Sequence, residues 1–280
     1  MRVTHHCNNC LSKLVVQAVE LATDHPEVRE LACRRAGLVL SEKFQPGSIS
    51  IVIAAELHEA VKKATGNPDP YRKMKDGEIV MARKLYNAMK GLYRENFEDY
   101  LKLAALGNAI DFFRPVEEVK REMSAGKIEF TIDDSALLED KVREARRILF
   151  LADNTGEIFF DLPLLQLMRK HAAVTFVVKA APVQNDITLD EIKRAGLQDS
   201  IGDVITTGTA TAGIDFSVAS QEFIEAFETA DLVFAKGMGY YETLEELPQR
   251  KRIFYCLKAK CQPVADSLNV PLHSYIAMLR

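Results

Sequence analysis

The stretch Arg147-Ile-Leu-Phe-Leu-Ala-Asp-Asn-Thr-Gly-Glu157 holds the residues best suited to chemistry. An apolar run ends in Asp153 and Asn154, and Glu157 follows within one helical turn. Two carboxylates and an amide oxygen therefore stand at the carboxyl end of a buried strand, where open α/β sheets bind their ligands. Hard oxygen donors gathered there suit a divalent cation such as Mg²⁺ or Mn²⁺. The same residues also make ordinary helix caps and turns, so the neighbouring elements must decide between the two readings.

Four further apolar runs follow, at 174–179, 203–208, 231–239 and 251–258. Helical patterns at 158–171, 189–195, 220–229 and 242–247 lie between most of them. Near-continuous apolar strands alternating with helices predict a mostly parallel sheet covered on both faces. The expected fold is α/β, a doubly wound three-layer α-β-α sheet with a helical N-terminal region. Residues that follow such strands converge on one edge, here Asp153, Asn154, Asn185, Asp186, Thr206, Thr207 and Lys236. A helix cap accounts for one of them, but not for polar groups at the ends of four strands.

Residues 1–145 read as helical and residues 146–280 as α/β, packed together as one unit. Apolar residues recur at three- and four-residue spacings over 11–22, 27–40, 48–65, 78–93 and 96–109, with shorter helices at 116–124 and 137–146. Room remains for one short strand at 126–134. Helix 96–109 ends at Gly107-Asn108-Ala-Ile-Asp111. That is either a plain helix terminus with Asn108 in a left-handed turn, or a polar pair, Asn108 and Asp111, facing the crevice. The rigid loop 66–73 either presents Arg72 and Lys73 to an anion or is an exposed turn.

Across 280 residues, 48% are hydrophobic and 27% charged, with a formal net charge of −4, which points to neither nucleic acid nor an anionic membrane as partner. No run reaches the roughly 18 apolar residues of a membrane helix. Met1-Arg-Val-Thr-His-His-Cys7 has no apolar signal core, so a cytoplasmic location is expected. Five cysteines do not suggest a secreted disulfide framework. Cys7 and Cys10 form a C-x-x-C pair that lacks a second such pair for a zinc site; Cys261 or His5 could complete one in space. Cys33 falls in the apolar pattern of its helix and reads as core.

Asp153-Asn-Thr-Gly-Glu157, Asn185-Asp186 after a proline, Lys236-Gly-Met-Gly239, Gly107-Asn108-x-x-Asp111 and the Cys7/Cys10 pair occur in a distinctive order. In these the chain resembles the metal-dependent damage-control phosphatases, also known as domain of unknown function 89. The Cys-x-x-Cys start and Lys260-Cys261 resemble its prokaryotic branch. The resemblance covers nearly the whole chain and implies an α/β core with a divalent-metal phosphatase site. It places metal ligands at Asp153, Asn154 and Asp186 and a phosphate-contacting lysine at Lys236. Lys236-Gly-Met-Gly-Tyr-Tyr-Glu242 departs from the Gly-Asn-Phe-Glu ending of some members.

The expected activity is therefore hydrolysis of small phosphorylated metabolites, sugar phosphates among them, by water activated by a bound Mg, Mn, Co or Ni ion. Asp153, Glu157 and Lys236 are the expected catalytic groups. Lys236 offsets charge on the phosphoryl oxygens, and Glu157 either handles the proton of water or stabilises a helix N-terminus. Gly237 and Gly239 let the backbone approach the phosphate, with Asn108 and Asp111 on the wall. A variant makes Asp153 the nucleophile, as in haloacid-dehalogenase phosphatases; the second Asp typical of those enzymes is Thr155 here. An S-adenosylmethionine-dependent methyltransferase is a different reading, but it needs a Gly-rich turn after the first strand, where only Gly156 stands. The remaining alternative is a non-catalytic metal- or metabolite-binding protein.

Overall fold

The five apolar runs become five parallel strands, and two more strands extend the sheet. A computed structural model of the chain describes residues 1–109, 128–245, 247 and 253–280. Asp111 and the expected helix 116–124 lie outside the described residues. The parallel strands are β2 (Arg147–Leu151), β3 (Ala173–Val178), β4 (Val204–Thr206), β5 (Leu232–Lys236) and β6 (Ile253–Lys258). With β1 (Phe130–Asp133) and β7 (Tyr275–Leu279), the order across the sheet is β1-β7-β6-β5-β2-β3-β4. β7 runs antiparallel to β6 and β1 parallel to β7. β7, reached from β6 through the short helix Gln262–Leu268, is not among the runs expected from sequence.

Phe150, Phe176, Phe234 and Phe254 stand in register on four adjacent strands. Their ring centroids are 5.3, 4.8 and 5.7 Å apart, and all four side chains are fully buried. The helices α4 (Arg72–Met89), α5 (Phe97–Ala109) and α7 (Ile158–Arg169) cover this row. α6 (Ser135–Glu144) joins them at one end. Between β3 and β4 lie the short helices α8 (Leu189–Arg194) and α9 (Gln198–Ile201). The opposite face of the sheet, with Leu149, Leu151, Val233 and Tyr255, packs under α10 (Gln221–Thr229), α11 (Gly237–Leu244) and α12 (Gln262–Leu268). The result is a mostly parallel three-layer α/β fold. Hydrophobic packing thus crosses position 145: α4 and α5 share their core with the sheet.

α1 (His5–Ala22), α2 (Pro26–Lys43) and α3 (Ser50–Thr65) form a separate apolar cluster around Leu11, Val15, Leu57 and Val61. α2 buries only Ala32 and Ala36. Cys33 is displaced about 100° around the helix from Ala32, so it is exposed rather than core. No helix among the described residues is long and apolar enough to cross a membrane.

Between the β2 and β5 branches the connections leave in opposite directions. β2 passes through α7 to β3 on one side, and β5 passes through α11 to β6 on the other. Such a reversal opens a crevice beyond the carboxyl ends of the strands. The pairs Leu151–Val177 and Leu151–Ala235 put Asp153, Lys179 and Gly237 level with one another, two residues further on.

His58 on α3 is buried, 3% exposed, with its ring 5.8 Å from Tyr71 and Nε2 without a hydrogen-bond partner. Burial, and then the charge of Lys62, lower its pKa to about 4. An unfolded chain protonates this residue near pH 6.5. Stability is therefore lost as pH falls from about 6.5 towards 4, where the folded protein must take up the proton. Urea unfolding of the parent and of His58→Leu should show the parent losing about 2.5 kcal/mol relative to the variant between about pH 7.5 and about pH 4.5. A difference that does not change with pH would show that folding leaves the His58 pKa at its unfolded value.

Candidate active site

Asp153 and Asn154 leave β2 just before a 3-10 turn, Thr155–Glu157, that leads into α7. The chain after β3 loops back and runs beside them. Asn154 and Asp186 form an antiparallel bridge. The Ile187 N–H donates to the Asp153 carbonyl at 2.9 Å, and the Thr155 N–H donates to the Asn185 carbonyl at 2.9 Å. Gln184 makes the reversal with a left-handed backbone, φ 44°, a conformation uncommon for a residue with a Cβ. These ladder bonds hold Asp153, Asn154 and Asp186 on one cavity of about 320 Å³. Asn108, Glu157 and Lys260 line the same cavity.

Two amides clamp the carboxylates. Asn108 Nδ2 donates to Asp153 Oδ2 at 3.0 Å and to Glu157 Oε1 at 2.8 Å. Asn154 Nδ2 donates to the same two atoms at 2.9 and 2.6 Å. Asn108 also accepts from the Lys258 N–H at 3.2 Å. Asn108 is therefore buried against the site, not a solvent-facing helix end. A third brace is Glu78 of α4, whose Oε1 accepts from Asn185 at 2.9 Å and whose carboxyl also takes the Gly156 N–H. Glu78 joins the two loops that carry the acidic groups.

The electrostatics are strained in one direction. Burial, and then the charge of Glu157, raise the pKa of Asp153. Burial likewise raises Asp186, with Asp153 and Glu157 adding to the effect. Burial would raise Glu157 too, but Lys236 and Lys260 outweigh it and hold that carboxylate below its ordinary range. Lys179 donates to the Gly213 carbonyl at 2.8 Å, lies 3.7 Å from Asp186 and stands 3.9 Å over the Tyr240 ring. Burial lowers its pKa.

Three sequence expectations change. Lys236 does not line the cavity. Its ammonium is wholly buried behind Glu157, 2.9 Å from Glu157 Oε2, 2.6 Å from Asp161 Oδ1 and 2.7 Å from the Ala104 carbonyl. A buried ammonium needs several acceptors, and these three lie on the α5/α7 side of β5. The glycines likewise serve the protein's own packing. A Cβ on Gly237, which has φ +77°, would lie 2.0 Å from Asp153 Oδ2, and one on Gly239 would lie 2.3 Å from the Ala212 carbonyl. Gly239 still lines the cavity; Gly237 gives its space to the Asp153 carboxylate. Thr206 and Thr207 do not line it either, and Arg72 and Lys73 stay outside it, in keeping with the exposed-turn alternative for that loop. Thr207 hydrogen bonds with Thr209, and Arg72 pairs with Asp190 at 2.8 Å.

The description "Damage-control phosphatase ARMT1-like domain" matches residues 3–276. The chain belongs to that family. It is 37% identical to a damage-control phosphatase of Pyrococcus horikoshii, over 99% of this chain and 98% of the relative. A damage-control phosphatase of Archaeoglobus fulgidus is 28% identical, over 99% of both chains. The crystal structure of a DUF89 family protein from Pyrococcus horikoshii superposes with a TM-score of 0.92 at 36% identity, covering 99% of each chain.

Sequence reasoning missed Asp161, Lys260 and Glu78. Asp161 had a signal: it is the lone charge in Ile158-Phe-Phe-Asp-Leu-Pro-Leu-Leu165, and a carboxylate in such a run needs a buried cation. Nothing local marked Glu78, and Lys260 stood out only as part of the Lys260-Cys261 pair. Cys7, Cys10 and Cys261 do come together, lining one cavity of about 580 Å³. Among the described residues no three Cys, His, Asp or Glu side chains are grouped closely enough to hold an ion by themselves.

The two lysines should separate in stability. Lys236→Met leaves Glu157 and Asp161 buried without their cation and should cost roughly 3–5 kcal/mol. Lys260→Met removes an exposed charge and should leave the urea midpoint essentially unchanged. Equal midpoints for the two variants would mean that Lys236 does not balance those carboxylates.

Proposed function

We propose that the chain is a divalent-cation-dependent phosphatase that hydrolyses small phosphomonoesters. The observation that carries this reading is the convergence of Asp153, Asn154 and Asp186 with Lys260 on one cavity at the reversal of the sheet. The donor set fits a hard cation. Two buried carboxylates repel one another there, Asp186 Oδ2 has no hydrogen-bond partner, and the nearest ammonium is 3.7 Å away. Asp153, Asn154 through its amide oxygen, and Asp186 would hold the ion. When bound, it would polarise the phosphoryl oxygens and make water a better nucleophile.

The protein's own groups do the positioning. Lys260, exposed on the cavity wall, supplies the positive charge that meets an incoming phosphate in place of Lys236. Glu157 is occupied on both oxygens, by Asn108 and Asn154 on Oε1 and by Lys236 on Oε2. It therefore fixes the amides and does not take a proton. Asn108 and Asn154 hold Asp153 Oδ2 from two sides, which fixes the carboxylate plane. In the reaction, water adds to phosphorus, the bond from phosphorus to the ester oxygen breaks, and the alcohol leaves with a proton.

Chelated protein should fail to hydrolyse p-nitrophenyl phosphate, and Mg²⁺, Mn²⁺, Co²⁺ or Ni²⁺ should restore turnover. Asp153→Ala should lose both cation affinity and turnover. Lys260→Met should keep cation affinity and lose on the order of 10²-fold in kcat/KM, comparable to removing one donor to the transition state. Acid quench and borohydride reduction during single turnover should leave Asp153 intact; conversion of Asp153 to homoserine would trap an aspartyl-phosphate and make Asp153 the nucleophile. A folded protein inactive with every one of these cations overturns the reading.

A further inference from the structure

The carboxylate cavity opens onto a larger one, and its chemistry is different. The second cavity, of about 580 Å³, shares Ile51, Gln184 and Glu242 with the first. Any phosphomonoester with its phosphate between Asp153 and Lys260 must send the rest of the molecule somewhere. The larger adjoining space is this compartment. Building on the phosphatase reading, we propose that it receives the leaving group, and that the substrate is a phosphate ester of an apolar alcohol, with an alkyl or aryl body.

The wall carries the argument. Cys7, Cys10, Leu11 and Leu14 all line the compartment. Their spacing of three, four and seven residues makes them one stripe along α1. Ile51 and Ala54 of α3 face them, and Pro263 closes the side next to Cys261. The C-x-x-C pair is thereby part of an apolar stripe. Burial raises the Cys10 thiol, with Cys7 and Glu242 adding to the shift, and burial pushes Cys261 up to about 11. A protonated thiol behaves as a small hydrophobe, so Cys10 and Cys261, partly open to solvent on this wall, add to its apolar lining.

Hydrogen-bonding groups are placed at the edges. Ser50 is engaged with Glu242 at 2.7 Å. Arg2, His6 and Lys13 line the compartment as solvent-exposed side chains at its rim. Gln184 and Glu242 stand at the junction with the carboxylate site, where an ester oxygen would lie. The profile from one end to the other is anionic, then polar, then apolar, which is the profile of an amphiphile. Gln17 and Gln262 also line the compartment, but hydroxyls packed against Leu11, Leu14, Ile51, Ala54 and Pro263 would be unpaired there, at roughly ten-fold in affinity each. Each methylene buried in the same place contributes roughly three- to four-fold. The inference departs from the sugar phosphates expected from sequence.

Two measurements on the full-length protein with Mn²⁺ test it. In the first, kcat/KM is compared for ethyl phosphate, hexyl phosphate and a hexose monophosphate. Hexyl phosphate should exceed both others by at least about ten-fold, given four additional methylenes. Leu14→Asp should bring the hexyl-to-ethyl ratio towards one. The second reads position without turnover and uses the parent protein, so it does not depend on how a variant folds. Alkylation by iodoacetamide is followed by mass spectrometry at Cys10 and at Cys33, which is exposed on α2 away from the compartment. Hexyl phosphonate, which is not hydrolysed, should slow Cys10 by at least about five-fold at saturation and leave Cys33 unaffected. Ethyl phosphonate should protect neither. Hydrolysis of all three esters at equal efficiency, or an unprotected Cys10 under saturating hexyl phosphonate, overturns this inference and leaves the phosphatase reading intact. Hydrolysis of p-nitrophenyl phosphate but of none of these three overturns the inference alone; inactivity on p-nitrophenyl phosphate with every cation as well overturns the phosphatase reading with it.

Discussion

Lys236 carries a positive charge where no water reaches it, and the position of the acidic groups follows from that. Removing an ammonium from water costs several kcal/mol, and only close, well-directed acceptors recover it. Burial would lower its pKa, yet Asp161 and Glu157 more than offset the burial and raise it. Its acceptors come from three elements: the Ala104 carbonyl on α5, Glu157 on the 3-10 turn and Asp161 on α7. Lys236 is thus the point at which the helical region, the turn bearing the acidic cluster and the centre of the sheet are tied together. Glu157, held in this way, can in turn fix the two amides that orient Asp153. The catalytic geometry inferred for Asp153 therefore rests on a lysine outside the cavity.

The sheet determines which loops can meet there. Four phenylalanines in register form one row beneath α4, α5 and α7. A one-residue slip in any of these strands would turn its phenylalanine to the other face. The same slip would move Asp153 out of line with Lys179 and Gly237. Register and site are specified together, because the packing that fixes the former also sets the height at which each loop leaves the sheet. The missing Cβ of Gly237 completes the fit, since the Asp153 carboxylate occupies that space.

Much of this was legible in the sequence, for identifiable reasons. Apolar runs separated by helical periodicity report a parallel sheet, because both faces of its strands are buried. Post-strand polar residues report the crevice, because strand direction alone brings them to one edge. Asp153, Asn154 and Asp186 follow from that logic, whereas Asn108 stood out as a polar residue at the end of an apolar helix. What one dimension cannot carry is the direction of a long side chain. Lys236 ends a strand beside the crevice, yet its flexible stem turns towards Asp161, a residue whose partner could only be identified in space. Cys33 failed for a related reason: a helix packed through small residues has a narrow buried stripe, and one position of error places a residue in solvent. The glycines were given a ligand's role because close approach is visible in sequence, whereas the identity of the approaching group is not.

The helical region contributes more than cover. α5 brings Asn108, α4 brings Glu78 and α3 brings Ile51 to the cavity or to the loops behind it. Glu78 is the clearest sign of how the parts depend on one another. Burial raises it to about 7, against bonds from Asn185 and the Gly156 N–H that favour its charged form. A carboxyl so placed destabilises its surroundings unless both loops are present to donate to it. The loops have a corresponding need, because each carries buried acidic groups that repel those on the other. The acidic loops and the helix that braces them are therefore favourable only together. Like charge concentrated for chemistry requires a rigid polar frame around it, and here that frame is drawn from elements on both sides of the chain's midpoint.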